Sequence, residues 1–279
     1  MVNSLKEYVQ RIKNLPTIPM IAQEILGVVG NEMTSVSKLE KIVENDPVIS
    51  AKILSVANSA FFGVTTPAKT LSSAIMRVGF NNVKNIALGI SLMTVLDNGR
   101  QGKSVDYQRI FNHSITVGFV ARVIGKKLKM STSEEMLMNG LLHDIGFLVL
   151  NRFFPDNYVK VLTVFEKGKP LLEAEQEVLD FTHADIGGWL AEQWKLPAAL
   201  IDSIRYHHSP SLAKKNVKQI TIIHLADHMA SNNILSATEQ NPDYPLDASA
   251  FEILGMSEDS LKKIEAEVSG LSFSGEIFS

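Results

Sequence analysis

The sequence predicts an all-α protein. Apolar residues recur every three or four positions along most of the 279 residues, as at Ile21, Ile25 and Val29, which is the spacing of one face of an α-helix. The first hundred residues show no alternation of apolar and polar residues that would indicate a strand. Helix starts are marked as well, because Asp46-Pro47 combines a favoured N-cap residue with a proline that suits the first helical position.

The first hundred residues divide into six predicted helices. Leu15-Pro16 to Pro19 breaks the chain after the first of them, and Asn58-Ser59 ends the fourth. Gly79 is expected to permit a tight turn between the last two. The aromatic pair Phe61-Phe62 fits a core position better than a partner-binding patch. The helices are predicted from Ser4, and over 19–30, 35–43, 47–58, 71–78 and 83–96.

The polar, glycine-rich segment 97–103 predicts the internal boundary of the chain. It separates an N-terminal helical part, residues 1–103, from a second helical part, residues 104–235. A polar loop at 236–247 then leads into two short helices of a C-terminal tail, residues 236–279. Within the second part, helices are predicted over 107–128, 133–150, 156–167, 170–178, 182–194, 197–206 and 217–232.

Composition excludes several functional classes. The formal net charge of −3 argues against a dedicated nucleic-acid or anionic-membrane binder. The absence of cysteine excludes disulfides, thiolate nucleophiles and iron–sulfur clusters. Charged residues interrupt the N-terminal apolar positions, and no uncharged apolar run reaches the roughly 18 residues of a membrane-spanning helix. The sequence therefore predicts a cytoplasmic protein without a membrane segment.

One apolar stretch carries two polar residues that need a partner. His143 and Asp144 stand side by side within Met136–Leu150, which is otherwise almost wholly apolar. Burying an imidazole and a carboxylate costs several kcal/mol when nothing pairs with them. A divalent metal ion suits both groups at once, since imidazole nitrogen and carboxylate oxygen bind iron, manganese, zinc or nickel.

Other residues of the second half can complete such a site. All seven histidines lie at or after residue 113, at apolar-flanked helix positions or helix ends. The number of candidates suits two ions with Asp144 as the bridging carboxylate and the candidate catalytic residue, and two ions suit phosphoester hydrolysis by activated water. Two alternatives stay open: single histidines such as His224 and His228 fit structural hydrogen bonding, and the whole group also fits a metal-free polar network. The candidate metal ligands are His113, His143, Asp144, His183, His207, His208 and Asp227.

Several motifs in order give the chain a family resemblance. In the N-terminal half they are Leu15-Pro16-x-x-Pro19, Asp46-Pro47, Ala51-Lys-Ile-Leu54, Ala57-Asn58-Ser59-Ala60, and Ala74-Ile75 with Gly79. In the second half they are His113-Ser114, Leu142-His143-Asp144-Ile-Gly146, His183-x-x-x-Gly187, Trp194-x-Leu-Pro197 and His207-His208. Over residues 13–210 the chain thus resembles the HDOD family, an all-helical relative of the HD phosphohydrolases found in bacterial signalling. The resemblance implies an N-terminal helical layer packed on an HD-like core.

The resemblance also bears on the metal site. Many HDOD members have lost their metal ligands, whereas all seven candidates here match ligand positions of the related HD-GYP phosphodiesterases. Three departures argue against hydrolysis of cyclic di-GMP. Phe147 stands where active relatives commonly carry a lysine, Ser209-Pro210 opens a segment that replaces the glycine-tyrosine-proline loop, and Arg109 replaces an acidic ligand. Arg109, Arg152 and Arg205 are instead candidates for contact with a phosphate.

Two functional hypotheses follow. The first is a bacterial signalling module that acts through contacts with a protein partner, with metal serving structure or ligand sensing. The second is a metal-dependent phosphohydrolase that acts on a nucleotide or another phosphoester. The family resemblance favours the first hypothesis, and the complete ligand set favours the second.

Overall fold

The computed structural model describes residues 3–28, 33–62, 66–97, 106–230 and 245–268. These residues form sixteen α-helices and two short 3-10 helices, Ala60–Phe62 and Pro210–Leu212, and include no strand. The all-α prediction is therefore confirmed. The helices are α1 (Asn3–Gln10), α2 (Met20–Leu26), α3 (Met33–Glu44), α4 (Pro47–Ala57), α5 (Leu71–Val78), α6 (Phe80–Thr94), α7 (Tyr107–Lys127), α8 (Met136–Leu142), α9 (Ile145–Phe153), α10 (Pro155–Phe165), α11 (Leu171–Leu179), α12 (His183–Gln193), α13 (Ala198–Tyr206), α14 (Val217–Ala230), α15 (Ala250–Leu254) and α16 (Glu258–Val268).

Local capping starts two helices at the predicted residues. The Asp46 side chain accepts hydrogen bonds from the backbone N–H groups of Val48 and Ile49, at 2.9 and 3.0 Å. Thr182 caps α12 through a reciprocal pair of bonds with Asp185. Such caps satisfy N–H groups that a helix leaves without a partner in its first turn. The Thr182 cap makes His183 the first residue of α12.

The single helix predicted over 133–150 is wrong. Helix α8 ends at Leu142 and α9 begins at Ile145, so that His143 and Asp144 form the turn between them. The reason is tertiary. Helix α8 lies so close to α7 that a Cβ at Gly140 would come within 2.4 Å of the Gly118 nitrogen, whereas α9 lies equally close to the start of α12 at Gly146. A straight helix cannot follow both partners, and the turn gives each half its own direction.

The N-terminal helices pack on the second half as a layer. Helix α2 packs on α6, and α6 packs on α8. The last contact is close, since a Cβ at Gly89 in α6 would overlap the Leu141 side chain. One continuous apolar core extends from α1 to α13 and includes side chains of both halves. The predicted packing of an N-terminal layer on an HD-like core is confirmed.

Polar contacts fasten this layer to the second half. The indole Nε1 of Trp194 donates to the Pro16 carbonyl at 2.8 Å. The Asn157 amide donates to the Tyr8 hydroxyl at 2.9 Å, and the Tyr8 ring meets Phe154 edge-on. Arg152 donates to the Val95 carbonyl at 3.0 Å through Nη1, so its guanidinium links the two halves, and its contact with a phosphate stays a prediction.

The end of α4 is clamped to the segment that leads into α5. The Asn58 side chain exchanges two hydrogen bonds with the backbone of Ala68, at 2.6 and 2.9 Å, and Arg77 donates to Asn58 and to the Ala57 carbonyl. Phe61 and Phe62 follow and pack on the ring of Phe119 in α7, with centroids 4.4 and 5.4 Å away. This aromatic pair contributes to the core, as predicted.

The two C-terminal helices pack on a smaller, separate core. Leu254 of α15 and Leu261 of α16 join apolar residues of α7, α8 and α14 there. Residues 98–103 of the predicted boundary and 236–244 of the predicted loop lie outside the described residues. No helix in the part of the chain that the structure describes is long and apolar enough to cross a membrane.

Candidate metal centre

Five segments bring the seven predicted ligands into one cluster. His113 projects from the second turn of α7, His143 and Asp144 form the turn between α8 and α9, and His183 opens α12. The remaining three are His207 and His208, directly after α13, and Asp227 in α14. Six of the seven are 3% exposed or less, and the His208 side chain is 5% exposed.

Asp144 lies at the middle of the cluster. Its Oδ2 atom is 3.2 Å from His143 Nε2 and 3.6 Å from His113 Nε2. Its Oδ1 atom is 3.4 Å from the Nε2 atoms of both His183 and His207. Each carboxylate oxygen therefore faces its own pair of imidazoles, which is the arrangement expected of a carboxylate shared by two ions.

Asp227 lies beside His113 and His143, and His208 lies beside His183. Asp227 Oδ1 is 2.9 Å from His113 Nε2 and 3.6 Å from His143 Nε2. His208 Nε2 lies 3.0 Å from His183 Nε2, and its Nδ1 lies 3.8 Å from Asp227 Oδ2. Three overlapping groups have ligand atoms close enough to share an ion: Asp144 with His183, His207 and His208; His113 with His143 and Asp144; and His143 with His207 and Asp227.

The polar atoms at the centre of the cluster fit a metal. His143 Nε2, His207 Nε2 and both carboxylate oxygens of Asp144 are buried and make no hydrogen bond. An unsatisfied buried polar atom costs about 1–3 kcal/mol, and more when it is charged. These four atoms are directed at one another, and coordination to a metal would satisfy them. The donor set of imidazole and carboxylate suits a divalent transition metal.

Backbone carbonyls orient two of the imidazoles. His143 Nδ1 donates to the Gly140 carbonyl at 2.6 Å, and His207 Nδ1 donates to the Ile204 carbonyl at 2.8 Å. Because a carbonyl only accepts, Nδ1 of each ring carries a hydrogen, and in the neutral form that binds metal the lone pair of Nε2 is directed into the cluster. Such outer contacts set the tautomer and the ring angle of metal-binding histidines.

Glu175 orients a third imidazole, and sequence reasoning missed it. This residue of α11 is fully buried, and its Oε2 atom accepts from both the backbone N–H and the Nδ1–H of His183 at 2.9 Å. The signal that could have found it is an acid on an apolar stripe, since Glu175 shares the buried face of α11 with Leu171 and Ala174.

A family model of the HDOD domain matches residues 15–210, about seven tenths of the chain. The chain belongs to the HDOD family. The match includes six of the seven clustered residues, from His113 to His208, and leaves Asp227 beyond its end.

Solved structures share the fold of this HDOD protein. An HDOD domain protein of unknown function from Geobacter sulfurreducens matches with a TM-score of 0.76 at 20% identity, over 99% of this chain and 97% of that chain. A protein of Shewanella amazonensis SB2B, provisionally described as a phosphohydrolase, matches with a TM-score of 0.72 at 23% identity, over 95% of both chains. An uncharacterised Treponema pallidum protein is 26% identical over 216 residues, and the matched part of the HDOD chain spans 40% of its length.

Glu175→Gln is expected to weaken metal binding by this HDOD protein by about 10- to 100-fold. The amide keeps the shape of the side chain but removes the charge that holds the Nδ1–H of His183. Titration of the metal-free protein against a chelator of known affinity measures the change. Glu173→Gln, on the exposed face of the same helix, is the matched control and should bind as the wild type does. Equal affinity in both variants would contradict the role of Glu175.

Charges within the cluster shift the pKa values of its histidines in opposite directions. Burial alone would lower the pKa of His143, but the negative charges of Asp144 and Asp227 outweigh burial and raise that pKa to about 10. Burial is likewise outweighed at His183, where Glu175 and Asp144 raise the pKa to about 10. Burial dominates at His207, where it lowers the pKa. Without metal, the imidazolium groups of His143 and His183 therefore offset part of the negative charge of the three buried carboxylates, Asp144, Asp227 and Glu175.

Metal uptake is expected to release protons. His143 and His183 are protonated at pH 7 in the metal-free protein, because their pKa values lie above that pH, whereas a coordinating imidazole must be neutral. Metal affinity should therefore rise with pH, by about tenfold per pH unit for each proton released. Calorimetric titrations at pH 7 in two buffers of different ionisation enthalpy count the protons. A heat of binding independent of the buffer would contradict the expectation.

Phe147 and the candidate phosphate contacts Arg205 and Arg109 all make contacts within the fold. Phe147 is fully buried and stacks on the His183 ring with centroids 4.0 Å apart. Arg205 lies over Gly188 and donates to Glu192 at 2.8 Å. Arg109 is half exposed and lies 3.7 Å from Asp106. The guanidinium of Arg205 thus pairs with Glu192 in this structure, and its contact with a phosphate stays a prediction.

Proposed function

We propose that this chain is a regulatory HDOD module that acts through contacts with a signalling protein and is built around a two-metal centre. The observation that carries the proposal is a complete ligand cluster that is closed to solvent. Six of its seven residues are 3% exposed or less, so the ligand atoms present almost no surface to a nucleotide in this conformation. Enclosure favours a structural or sensing role over turnover.

The two ions would be held on opposite sides of Asp144. His113, His143 and Asp227 face its Oδ2 side, and the other three histidines face its Oδ1 side. Iron, manganese, zinc and nickel all suit these ligands. When bound beside a bridging carboxylate, such ions supply an activated water and stabilise negative charge. Glu175 and the two carbonyls orient the rings, whichever ion is bound.

The bridging position of Asp144 favours a second candidate function, a metal-dependent phosphohydrolase that acts on a nucleotide or another phosphoester, with Asp144 as a catalytic residue. Cyclic di-GMP is a poor candidate substrate. The segment after His208 forms a short 3-10 helix at Pro210–Leu212 in place of a glycine-tyrosine-proline loop, and Phe147 offers no cation to a phosphate.

Metal content and turnover on the same samples test the proposal. The full chain, purified without a tag and loaded with manganese, iron or zinc, is assayed by plasma mass spectrometry and then against a panel of nucleotides, cyclic dinucleotides and p-nitrophenyl phosphoesters. We expect about two ions per chain and no turnover above that of the Asp144→Ala protein. Metal-dependent turnover that Asp144→Ala abolishes would establish the hydrolase instead. A chain that binds no metal would leave only a polar network.

A further inference from the structure

We propose that the C-terminal helices α15 and α16 respond to metal occupancy, and that His224 is the positioning residue that couples them to the metal centre. The inference rests on the proposed function, because it needs a metal centre to respond to. His224 lies outside the candidate ligand set, on α14, one turn before Asp227. It connects the backbone of a ligand to the backbone of the C-terminal segment.

The His224 ring uses both of its nitrogen atoms for this connection. Its Nδ1–H donates to the carbonyl of His207 at 2.7 Å, and its Nε2 accepts from the backbone N–H of Asp247 at 2.8 Å. His224 is 1% exposed, so water does not compete for these bonds. A shift of His207 is therefore transmitted to Asp247 through one rigid ring.

Asp247 makes a second connection to the segment that follows the histidine pair. Its Oδ2 atom accepts from the hydroxyl and the backbone N–H of Ser211, at 2.6 and 3.2 Å. Its Oδ1 atom accepts from the hydroxyl and the backbone N–H of Ser249, at 2.6 and 2.9 Å. The four bonds join the 3-10 helix after His208 to the residue that precedes α15.

The apolar contacts of α15 and α16 in the smaller core are with helices of the half that carries the ligands. Leu254, Leu261 and Ile264 belong to the smaller core, whose other members among the described residues come from α7, α8, α14 and the segments next to them. No residue of α1–α6 is part of this core in the described regions. Helix α15 has five residues and α16 has eleven, too few to persist alone in water. Their order therefore depends on docking to the metal-bearing half.

Metal loss removes a constraint at one end of this connection. Without metal the Nε2 atom of His207 is buried with no hydrogen bond, which favours any rearrangement that hydrates it. Because the His207 carbonyl is bonded to His224, such a rearrangement strains the bond to Asp247. The docked and undocked states of α15 and α16 are then the two states whose populations the metal shifts.

Hydrogen–deuterium exchange on the full chain tests the coupling, with metal content measured on the same samples. In the wild type, stripping manganese or zinc with a chelator should speed amide exchange in residues 250–268 by about tenfold or more. In Asp247→Ala, metal content should stay at the wild-type level, because Asp247 is not a ligand, but exchange in 250–268 should be fast whether or not metal is bound. His224→Leu should show the same uncoupling and also bind metal more weakly.

Lys127→Ala is the matched control, since it removes an exposed ion pair between α7 and Glu267 of α16 without touching the connection. It should keep the wild-type response to metal. If the wild-type protein binds metal but amide exchange in residues 250–268 does not change with metal content, the coupling is overturned. The proposed metal centre is not affected by that result. If Asp247→Ala and His224→Leu both show the wild-type change in amide exchange when metal is removed, the coupling is likewise overturned. Failure of the wild type to bind metal would overturn the proposed centre and the coupling together.

Discussion

Replacing Asp144 with alanine is expected to abolish metal loading, from about two ions per chain to near zero. The expectation follows from the position of this carboxylate, because its two oxygens lie between two pairs of imidazoles at 3.2–3.6 Å. In the proposed two-metal centre, removing the carboxylate would leave both ions without their common ligand and would leave four histidines facing one another. We therefore expect the Asp144→Ala protein to lose both ions and not only one.

Thermal unfolding gives a second measurement of the same effect. A ligand that binds only the folded state stabilises it by about 2.7 kcal/mol at a hundred times its dissociation constant. Added manganese or zinc should thus raise the melting temperature of the wild type and leave that of Asp144→Ala unchanged. Asp156→Ala, an exposed acid at the start of α10, is the control and should respond as the wild type does. An Asp144→Ala protein that still holds two ions would contradict the bridging role.

Gly146→Ala is expected to destabilise the protein by about 3–5 kcal/mol. A Cβ at this position would lie 1.9 Å from the carbonyl oxygen of His183 and 2.7 Å from its carbonyl carbon. Both atoms are backbone, so no rotamer change relieves the overlap, and α9 must move away from α12. The movement separates Asp144 from His183, so metal affinity should fall together with stability.

The control for this variant is a glycine whose neighbours can yield. A Cβ at Gly125 in α7 would meet Ser133 and Met136 atoms at 3.3–3.4 Å. Because alanine is favoured over glycine within a helix by up to about 1 kcal/mol, Gly125→Ala should change stability little. Urea unfolding of the metal-free proteins measures both effects. Equal stability of the two variants would show that α9 and α12 can separate at little cost.

Local chemistry explains which elements could be predicted from sequence. The Asp46 and Thr182 caps involve atoms within three residues, so their helix starts were predictable. The break at His143 was not, because it follows from contacts of Gly140 with Gly118 and of Gly146 with His183, which the sequence separates by 22 and 37 positions. Arg152 illustrates the same limit. Its carbonyl partner Val95 lies 57 positions away, and nothing in the neighbouring residues indicates it.

The residues of the candidate site could be predicted from the sequence, but their arrangement in space could be predicted less well. The burial of His143 and Asp144 could be predicted from the apolar residues around them. That five segments converge is a property of the whole fold, and helical spacing within each segment carries no information about it. Glu175 was missed because its role depends on where α11 lies relative to α12, although its place on an apolar helix face was visible.

The separation of the ligand segments gives the proposed metal pair a further effect. The chain has no cysteine and therefore no disulfide, yet His113 and Asp227 stand 114 positions apart and would be joined through the same centre. Ions held by five segments would close several large loops at once in the folded chain, and because unfolding must release them, their binding free energy would stabilise the fold. Unlike a disulfide, these metal-mediated links can be broken by a chelator or by depletion of the metal. The lifetime of the folded chain would then follow the metal supply of the cell.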